Sequence, residues 1–320
     1  MKVYNSIMTN DKKSRKPSNE FVDLEQALNY RFEPTKYTYS KPQAILYALA
    51  VGAAADVVDL KELQFTYDLN RTGFKVLPTF AVIFPFGALE QILSVPGLKF
   101  NFMNLLHGEQ YLEVKRPIPV DATITNIAFI SQIYDKGSGA LVIVDIHSYD
   151  EKEQEIAYNQ ASIFIRGIGG FGGDRGPSGA INMPPHRAPD HQLAEKTATN
   201  QALLYRLASG DPNPLHVDPA MAAMVGFERP ILHGLCTFGF AGRAVLKQFA
   251  ANNPDRLKSI KARFSRHVFP GETIVTEMWR ESALRILFQS RVREREEVVL
   301  SNGAVELHPS AAEAESDETN

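Results

Sequence analysis

The densest group of potentially catalytic side chains lies in residues 209–218, which read SGDPNPLHVD. Asp211 and His216 are five residues apart, and two prolines restrict the backbone between them. Histidine titrates near neutral pH, and a neighbouring carboxylate can share a proton with the same water molecule. Asn213 can orient either side chain through its amide. The loop therefore predicts an acid–base site acting on water, although the same residue types also build turns and helix caps.

A second candidate element is the sequence FERPILHGL at 227–235, which leads into the apolar segment 232–249. Free backbone N–H groups at the start of a helix attract negative charge. Gly234 lets a ligand oxygen approach such an N–H closely, so we expect an oxyanion hole there, with close packing at the helix entry as the alternative. His233 is expected to be a hydrogen-bonded structural histidine, with a second catalytic or substrate-binding role as the alternative.

Two other chemistries have less support. Four side chains could in principle hold a metal ion: Asp211, His216, Asp218 and His233. Their spacing lacks the short His-x-x-x-His or carboxylate pattern of metal sites, so no metal is expected. Cys236, the single cysteine, could be a nucleophile, but its position one turn into an apolar helix predicts a small buried side chain.

Basic residues that could meet the phosphates of a carrier are scattered along the chain. Arg263 and Arg266 are predicted to bind substrate, and Arg243 is a weaker candidate. Scattered arginines are more often solvated or ion-paired, which is the alternative for all three. His107 and Glu109 precede a predicted strand and are expected to be structural.

The composition excludes several classes of protein. The 320 residues are 44% hydrophobic and 22% charged, with a formal net charge of −3, which gives no electrostatic case for binding nucleic acid. No apolar run approaches the ~18 residues that a membrane span needs. We expect a flexible polar arm at 1–24 and a disordered acidic tail at 309–320. The sequence does not finish in Ser-Lys-Leu, which leaves the compartment open between peroxisome and cytoplasm.

The chain repeats itself on either side of a break. Residues 167–185 read GIGGFGGDRGPSGAINMPP, which predicts a linker at 167–190; a phosphate-binding glycine loop is disfavoured because no helix follows directly. Three short segments recur in the same order at offsets of roughly 150 to 160 residues. YALAVG at 47–52 is echoed by YRLASG at 205–210, LPTF at 77–80 by RPIL at 229–232, and RPIPVDAT at 116–123 by HVFPGET at 267–273. Two copies of one unit are predicted, at 25–166 and 191–308.

Each unit has helical material first and strands afterwards. The second contains a short helix at 201–208 and a long apolar helix at 232–249, whose apolar residues on all sides predict burial. Alternating polar and apolar residues then predict antiparallel strands, at 260–264, 273–279, 284–291 and 298–307 in the second unit and at 109–114, 122–133, 140–148 and 156–166 in the first. In the first unit Ala53 stands where Asp211 stands in the second, and no histidine follows it nearby. Only one copy is therefore expected to be active.

The motifs GDPNPLH at 210–216 and PILHG at 230–234 resemble those of MaoC-like (R)-specific enoyl-CoA hydratases. Roughly residues 25–308 resemble the two-repeat hydratase 2 group, the hydratase part of peroxisomal multifunctional enzyme type 2. In the first copy, LPTFAVI at 77–83 and LHGEQYLE at 106–113 carry the likeness. A dehydrogenase domain often precedes this part in the group and has no room in the present sequence, so a stand-alone hydratase or a fragment is expected.

The resemblance implies an α+β double hot-dog, in which two repeats each wrap an antiparallel sheet round a long helix. It implies reversible hydration of trans-2-enoyl-CoA to (R)-3-hydroxyacyl-CoA, with no cofactor beyond the CoA of the substrate. By motif position, Asp211 and His216 match the catalytic pair, Asn213 their supporting residue and the Gly234 N–H the oxyanion donor. A homodimer is the expected assembly. Two alternatives remain open: a hot-dog thioesterase or other acyl-thioester dehydratase, and a non-catalytic acyl-CoA-binding module.

Overall fold

The computed structural model describes residues 17–56, 59–177, 179 and 181–310. Most of the predicted arm and all but the first two residues of the predicted acidic tail therefore lie outside the described residues. The α-helices are α1 (Leu24–Ala27), α2 (Lys41–Ala50), α3 (Phe86–Leu89), α4 (Gln201–Ser209), α5 (Pro219–Met224) and α6 (Gly234–Phe249). The strands are β1 (Thr35–Tyr39), β2 (Leu105–Val114), β3 (Ala122–Asp135), β4 (Gly139–Tyr149), β5 (Glu155–Arg166), β6 (His191–Lys196), β7 (Leu257–Phe264), β8 (Thr273–Arg280), β9 (Arg285–Val292) and β10 (Glu297–Leu307).

The ten strands form one antiparallel sheet in the order β1-β3-β4-β5-β2-β7-β10-β9-β8-β6. The first five strands and the last five follow the same order, read outward from the centre. The halves meet where β2 pairs with β7, with Glu109 opposite Arg263 and Glu113 opposite Ser259. This seam relates the two repeats by an approximate twofold axis. The topology confirms the predicted double hot-dog, and all eight predicted strands are present; the edge strands β1 and β6 were not predicted.

Helix α6 forms the centre of the second repeat. Residues on all its faces are buried, among them Phe238, Phe240 and Leu246, and the helix packs against β7, β8, β9 and β10. A helix that is apolar on every side is stable only when protein surrounds it. In the part of the chain that the structure describes, no helix combines the length and apolarity needed to cross a membrane.

The first repeat departs from the predicted single long helix. The corresponding segment consists of a 3-10 helix (Pro78–Ile83), the short α3 and a second 3-10 helix (Glu90–Ser94). Pro85 lies at the break. A proline interrupts a helix because it lacks an N–H and its ring clashes with the carbonyl four residues earlier. Buried amides satisfy the freed carbonyls: Asn159 Nδ2 donates to Ala81 at 3.1 Å, and Asn126 Nδ2 donates to Phe84 at 2.8 Å. The expectation of a long helix in each repeat was therefore wrong for the first.

The end of α2 is held by side chains of the second repeat. The carbonyl of Ala50 accepts hydrogen bonds from Gln201 Nε2 at 2.6 Å and from Cys236 Sγ at 3.3 Å. The carbonyl of Val51 accepts one from Arg243 Nε at 3.1 Å. These donors satisfy carbonyls that a helix C-terminus leaves free, so the two repeats complete each other's secondary structure.

Two segments that we expected to be loosely attached are in fact packed. Val22, in the predicted arm, is fully buried and pairs with Leu98. Phe171, in the predicted linker, is buried in the core of the first repeat. The carboxylate of Asp135 accepts hydrogen bonds from the backbone N–H groups of Gly170 and Gly172, which both have positive φ. Glycine permits this turn around the carboxylate, so the glycine-rich sequence builds a defined connection between the repeats.

Candidate active site

The loop after α4 places Asp211 and Asn213 through local hydrogen bonds. Helix α4 ends at Gly210, whose φ of 74° turns the chain away from the helix axis. Asp211 Oδ1 accepts a hydrogen bond from the Asn213 N–H at 2.9 Å, and Asn213 Oδ1 accepts one from the Leu215 N–H at 3.1 Å. The side chain of Asn213 thereby caps the 3-10 turn that carries His216. Both side chains help to build the turn, and Asp211 Oδ2 remains directed towards His233.

The ring of His216 is held in one orientation and one tautomer. Its Nδ1 lies 2.9 Å from the carbonyl oxygen of Ile231. Since a carbonyl can only accept, Nδ1 carries the hydrogen and Nε2 presents its lone pair. Burial lowers the pKa of His216, although the Ile231 carbonyl and the Asp211 carboxylate act in the opposite direction. His216 is therefore neutral at pH 7 and can accept a proton through Nε2.

His233 lies directly beneath this pair. Its ring stacks on His216 with centroids 3.7 Å apart, and its Nε2 lies 3.9 Å from Asp211 Oδ2. The side chain is only 2% exposed, and neither ring nitrogen has a hydrogen-bond partner among the described residues. Burial, with the nearby His216 and Arg206, lowers the pKa of His233 well below 6.5. The buried position agrees with our expectation, but the expected structural hydrogen bond is absent.

Gly234 opens helix α6 immediately after His233. As the first helical residue it cannot bond within the helix, and its N–H donates to no acceptor in the described part of the chain. A Cβ at this position would lie 2.9 Å from the ring of Phe264. The glycine is thus required for close packing, and it also leaves a free N–H beside the two stacked imidazoles. The two roles that the sequence left open for Gly234, close packing at the helix entry and an oxyanion hole, are therefore compatible.

The same three side chains form a group that could be considered for a metal ion. One ligand atom from each of Asp211, His216 and His233 lies within 4.8 Å of the others. The two rings are stacked with centroids 3.7 Å apart and are inclined by only 25°, so their planes are nearly parallel and offset from each other. A cation at about 2 Å along one lone pair would lie out of the plane of the other ring, which is poor geometry for zinc. Asp218 does not join the group, because it caps α5.

Cys236 is buried in α6, and its thiol donates to the carbonyl of Ala50. Burial raises the pKa of the thiol well above its ordinary value. The thiolate, which is the nucleophilic form, is therefore disfavoured. The side chain packs as a small apolar residue, as its position in the sequence suggested.

The two arginines predicted to bind substrate differ in whether their guanidinium groups are already ion-paired within the protein. Arg263 donates to Glu109 through Nε at 2.8 Å and through a terminal nitrogen at 2.5 Å. Lys261 also contacts Glu109, at 3.1 Å. The prediction that Arg263 binds substrate is therefore not supported, because this guanidinium is already paired across the seam between the repeats. The exposed side chain of Arg266 makes no ion pair with a described residue and is free to meet an anion.

Two residues at the site were not predicted from the sequence. Tyr205 is fully buried beside His233, with ring centroids 4.9 Å apart, and its hydroxyl has no partner among the described residues. Ile231 contributes only its carbonyl, which no side-chain pattern can reveal. Tyr205 did appear in the repeated segment at 205–210, and its counterpart Tyr47 lies 6.0 Å away across the pseudo-twofold axis. That internal repetition was the available signal.

A double hot-dog with one Asp/His site at the start of its central helix defines the class of MaoC-like acyl-thioester hydratases and dehydratases. Family models agree with this assignment: residues 37–167 match the MFE-2 hydratase 2 N-terminal domain and residues 180–302 match the MaoC like domain. The chain belongs to the enoyl-CoA hydratase 2 family.

Three relatives illustrate the likeness. A probable enoyl-CoA hydratase 2 of Dictyostelium discoideum is 46% identical over 90% of this chain and 97% of its own length. The peroxisomal multifunctional enzyme type 2 of Mus musculus is 48% identical over 89% of this chain, which spans only 38% of that longer protein. The crystal structure of a MaoC-like dehydratase from Phytophthora capsici superposes with a TM-score of 0.81 at 37% identity, covering 91% of this chain and 100% of that one.

Proposed function

We propose that this protein catalyses the reversible addition of water to trans-2-enoyl-CoA, giving (R)-3-hydroxyacyl-CoA in fatty acid β-oxidation. The observation that carries the proposal is the packing of Asp211, neutral His216 and His233 against the start of α6 at Gly234. The names of the relatives from Dictyostelium and mouse support the same reaction.

The chemistry follows from the hydrogen-bonding capacity of these groups. The carboxylate of Asp211 and the Nε2 of His216 both accept, so one water can donate a hydrogen to each. As the water oxygen bonds to C3, one O–H proton passes to the side chain that holds it, and the C2–C3 π electrons move towards the thioester carbonyl. The Gly234 N–H donates to the resulting enolate oxygen. The accepted proton then returns to C2 from the same face, which completes a syn addition.

The relatives also suggest a cellular setting. The mouse relative is a peroxisomal enzyme by name, and we propose the peroxisome as the compartment of this protein. The homodimer stays a prediction, which light scattering of the purified protein would check. The acyl-CoA substrate is implied by the family.

The first test is the loss of conjugated-thioester absorbance of a trans-2-enoyl-CoA. We expect Asp211→Asn and His216→Ala each to lower kcat/KM by at least ~10²-fold, because each removes an acid–base group. Asp145→Asn and His147→Ala, on strand β4 of the first repeat, are the matched controls and should retain activity.

Chiral analysis of the product distinguishes (R) from (S). Hydrolysis of the thioester would also remove the conjugated-thioester absorbance, so free CoA thiol is measured in the same reaction. A wild-type protein that releases free CoA thiol as the absorbance falls would be a thioesterase, and the proposal would be wrong. Binding of acyl-CoA without either reaction would indicate a binding module.

A further inference from the structure

A cavity of about 270 Å³ lies at the opposite end of the seam from the active site. It is lined by the end of β2 and the start of β7, including Val114 and Leu257, and by Lys75, Lys115 and Arg116. Phe264, which packs against Gly234, is seven residues further along β7 than Leu257. At about 3.4 Å per residue, the two places are roughly 24 Å apart.

By the repeated segments, the lining of this cavity in the first repeat corresponds to the surroundings of His233 and Gly234 in the second. Its lining segments, 74–78 and 114–120, overlap the sequences LPTF at 77–80 and RPIPVDAT at 116–123. Their echoes in the second repeat, RPIL and HVFPGET, flank His233 and Gly234. Since the seam relates the repeats by an approximate twofold axis, the ancestral arrangement of two identical units would have had a ligand entrance at both ends.

The chemistry of catalysis is absent from this end. Ala53 stands in place of Asp211, and the helix that would carry the counterpart of Gly234 is broken near Pro85. Binding of a ligand does not require counterparts of Asp211 and Gly234. The cavity can therefore bind a ligand although it lacks the catalytic groups.

The lining combines positive charge with an apolar floor. Lys75 is paired with Asp255, and Lys115 lies 2.6 Å from Glu113. Arg116 is exposed and makes no ion pair with any residue in the described ranges. Val76, Val114 and Ile118 are buried beneath these cations. An unpaired guanidinium above an apolar floor suits a phosphate attached to an apolar or aromatic group.

We propose that this cavity is a second, non-catalytic site that binds the phosphorylated nucleoside end of a CoA molecule. The identity of the ligand rests on the proposed function, because the twofold relation transfers the ligand class from the active site. The volume lies below the 300–1,000 Å³ usual for a whole ligand, so the cavity accommodates one end of CoA while the rest remains outside.

The test is calorimetric titration of the full chain with CoA and with adenosine 3′,5′-bisphosphate. We expect two CoA molecules per wild-type chain. Arg116→Ala combined with Lys115→Ala should weaken the second site at least ~10-fold, because charge-assisted contacts to phosphate are lost. Lys152→Ala combined with Arg166→Ala, which removes two exposed cations of the same repeat, is the matched control and should bind two. KM for enoyl-CoA should stay within about twofold of wild type in both double variants.

Several outcomes would overturn the proposal. A single CoA site in the wild type would do so, as would unchanged binding in the Arg116 and Lys115 variant. A rise in KM for enoyl-CoA in the Arg116 and Lys115 variant would show that the cavity belongs to the substrate-binding part of the active site. Inorganic phosphate that competes as well as the bisphosphate would indicate a general anion site. Failure of the hydratase proposal appears in the absorbance and thiol measurements and not in the titration, so the two results are distinguishable.

Discussion

At the scale of single residues, the site depends on keeping two stacked imidazoles neutral. His216 and His233 lie with ring centroids 3.7 Å apart, and burial lowers the pKa of both. Two positive rings at this distance would repel strongly in a poorly solvated environment. The neutral His216 leaves Nε2 as an acceptor for water, while the Ile231 carbonyl holds the opposite nitrogen. Burial thus selects the protonation state that hydration requires.

This arrangement predicts the pH dependence of the reaction. Because the pKa of His216 is lowered, protonation begins only below the ordinary histidine value of 6.5. We expect kcat/KM to keep its plateau as pH falls through 6.5, and then to decline about tenfold per pH unit once the pH is below the lowered pKa. Initial rates between pH 4.5 and 8.5, with circular dichroism at each pH to verify folding, would measure this. An acid limb centred at or above 6.5 would show that the pKa of the proton-accepting group is not lowered by burial.

The residue types of the site could be predicted from the sequence, but their contacts could not. The Asp/Asn/His loop is continuous in the chain, and its hydrogen bonds are local. By contrast, the pairing of Arg263 with Glu109 depends on the register of β2 against β7. Strand register across a seam between repeats is a long-range property that alternation within each strand does not encode. The unpartnered ring of His233 is likewise visible only once its surroundings are known.

At the scale of secondary structure, one buried arginine joins elements of both repeats. Arg243 on α6 is 1% exposed and contacts the carboxylates of Glu62 and Glu195 as well as the carbonyl of Val51. Glu62 follows α2, and Glu195 lies on β6. Such a charge is tolerated in the interior only when every donor is satisfied. The sequence showed Arg243 within an apolar helix, and its two carboxylate partners lie 181 and 48 residues away.

Removal of this arginine should be costly. We expect Arg243→Met to lower the free energy of unfolding by about 3–5 kcal/mol, because it removes the closest partner of buried Glu62 and leaves Lys247, at 3.7 Å, as its remaining ion-pair partner among the described residues. Urea denaturation followed by circular dichroism would measure the loss. Lys258→Met is the control: its side chain is 47% exposed and contacts Glu306 at 3.5 Å, so the cost should stay below about 1 kcal/mol.

A double variant tests whether the buried carboxylate of Glu62 causes the loss of stability in Arg243→Met. Arg243→Met combined with Glu62→Gln removes the buried negative charge of Glu62 together with the arginine, and should be more stable than Arg243→Met alone. If the single variant loses no more stability than the Lys258 control, the ion cluster does not hold the repeats together.

At the scale of the whole molecule, the internal repetition made the architecture predictable. The echoed segments indicated two copies, and alternation located eight strands close to their observed bounds. The sequence shows a proline at position 85, but it does not show that the central helix of the first repeat is interrupted there. Whether a proline kinks or interrupts a helix depends on which groups satisfy the freed carbonyls, and here Asn126 and Asn159 come from distant strands.

The shared sheet and core predict that the two repeats unfold together. One hydrophobic cluster includes Tyr47 and Phe80 of the first repeat with Phe238 and Phe288 of the second, and the β2–β7 ladder continues the sheet across the seam. Both repeats contribute side chains to this common core, so exposing the share of either one opens the core of the other. We therefore expect a single cooperative transition in urea.

Fluorescence offers a direct measurement, because the chain has one tryptophan, Trp279, which lies on β8 of the second repeat. A second protein carrying Trp279→Phe and Phe129→Trp moves the reporter to β3 of the first repeat. If stability is shared, each protein should show the same urea midpoint by fluorescence as by circular dichroism, even if the substitutions shift that midpoint. A fluorescence midpoint that precedes the circular dichroism midpoint in one protein and follows it in the other would mean that the repeats unfold separately. The seam would then bring the two repeats into contact without making either depend on the other.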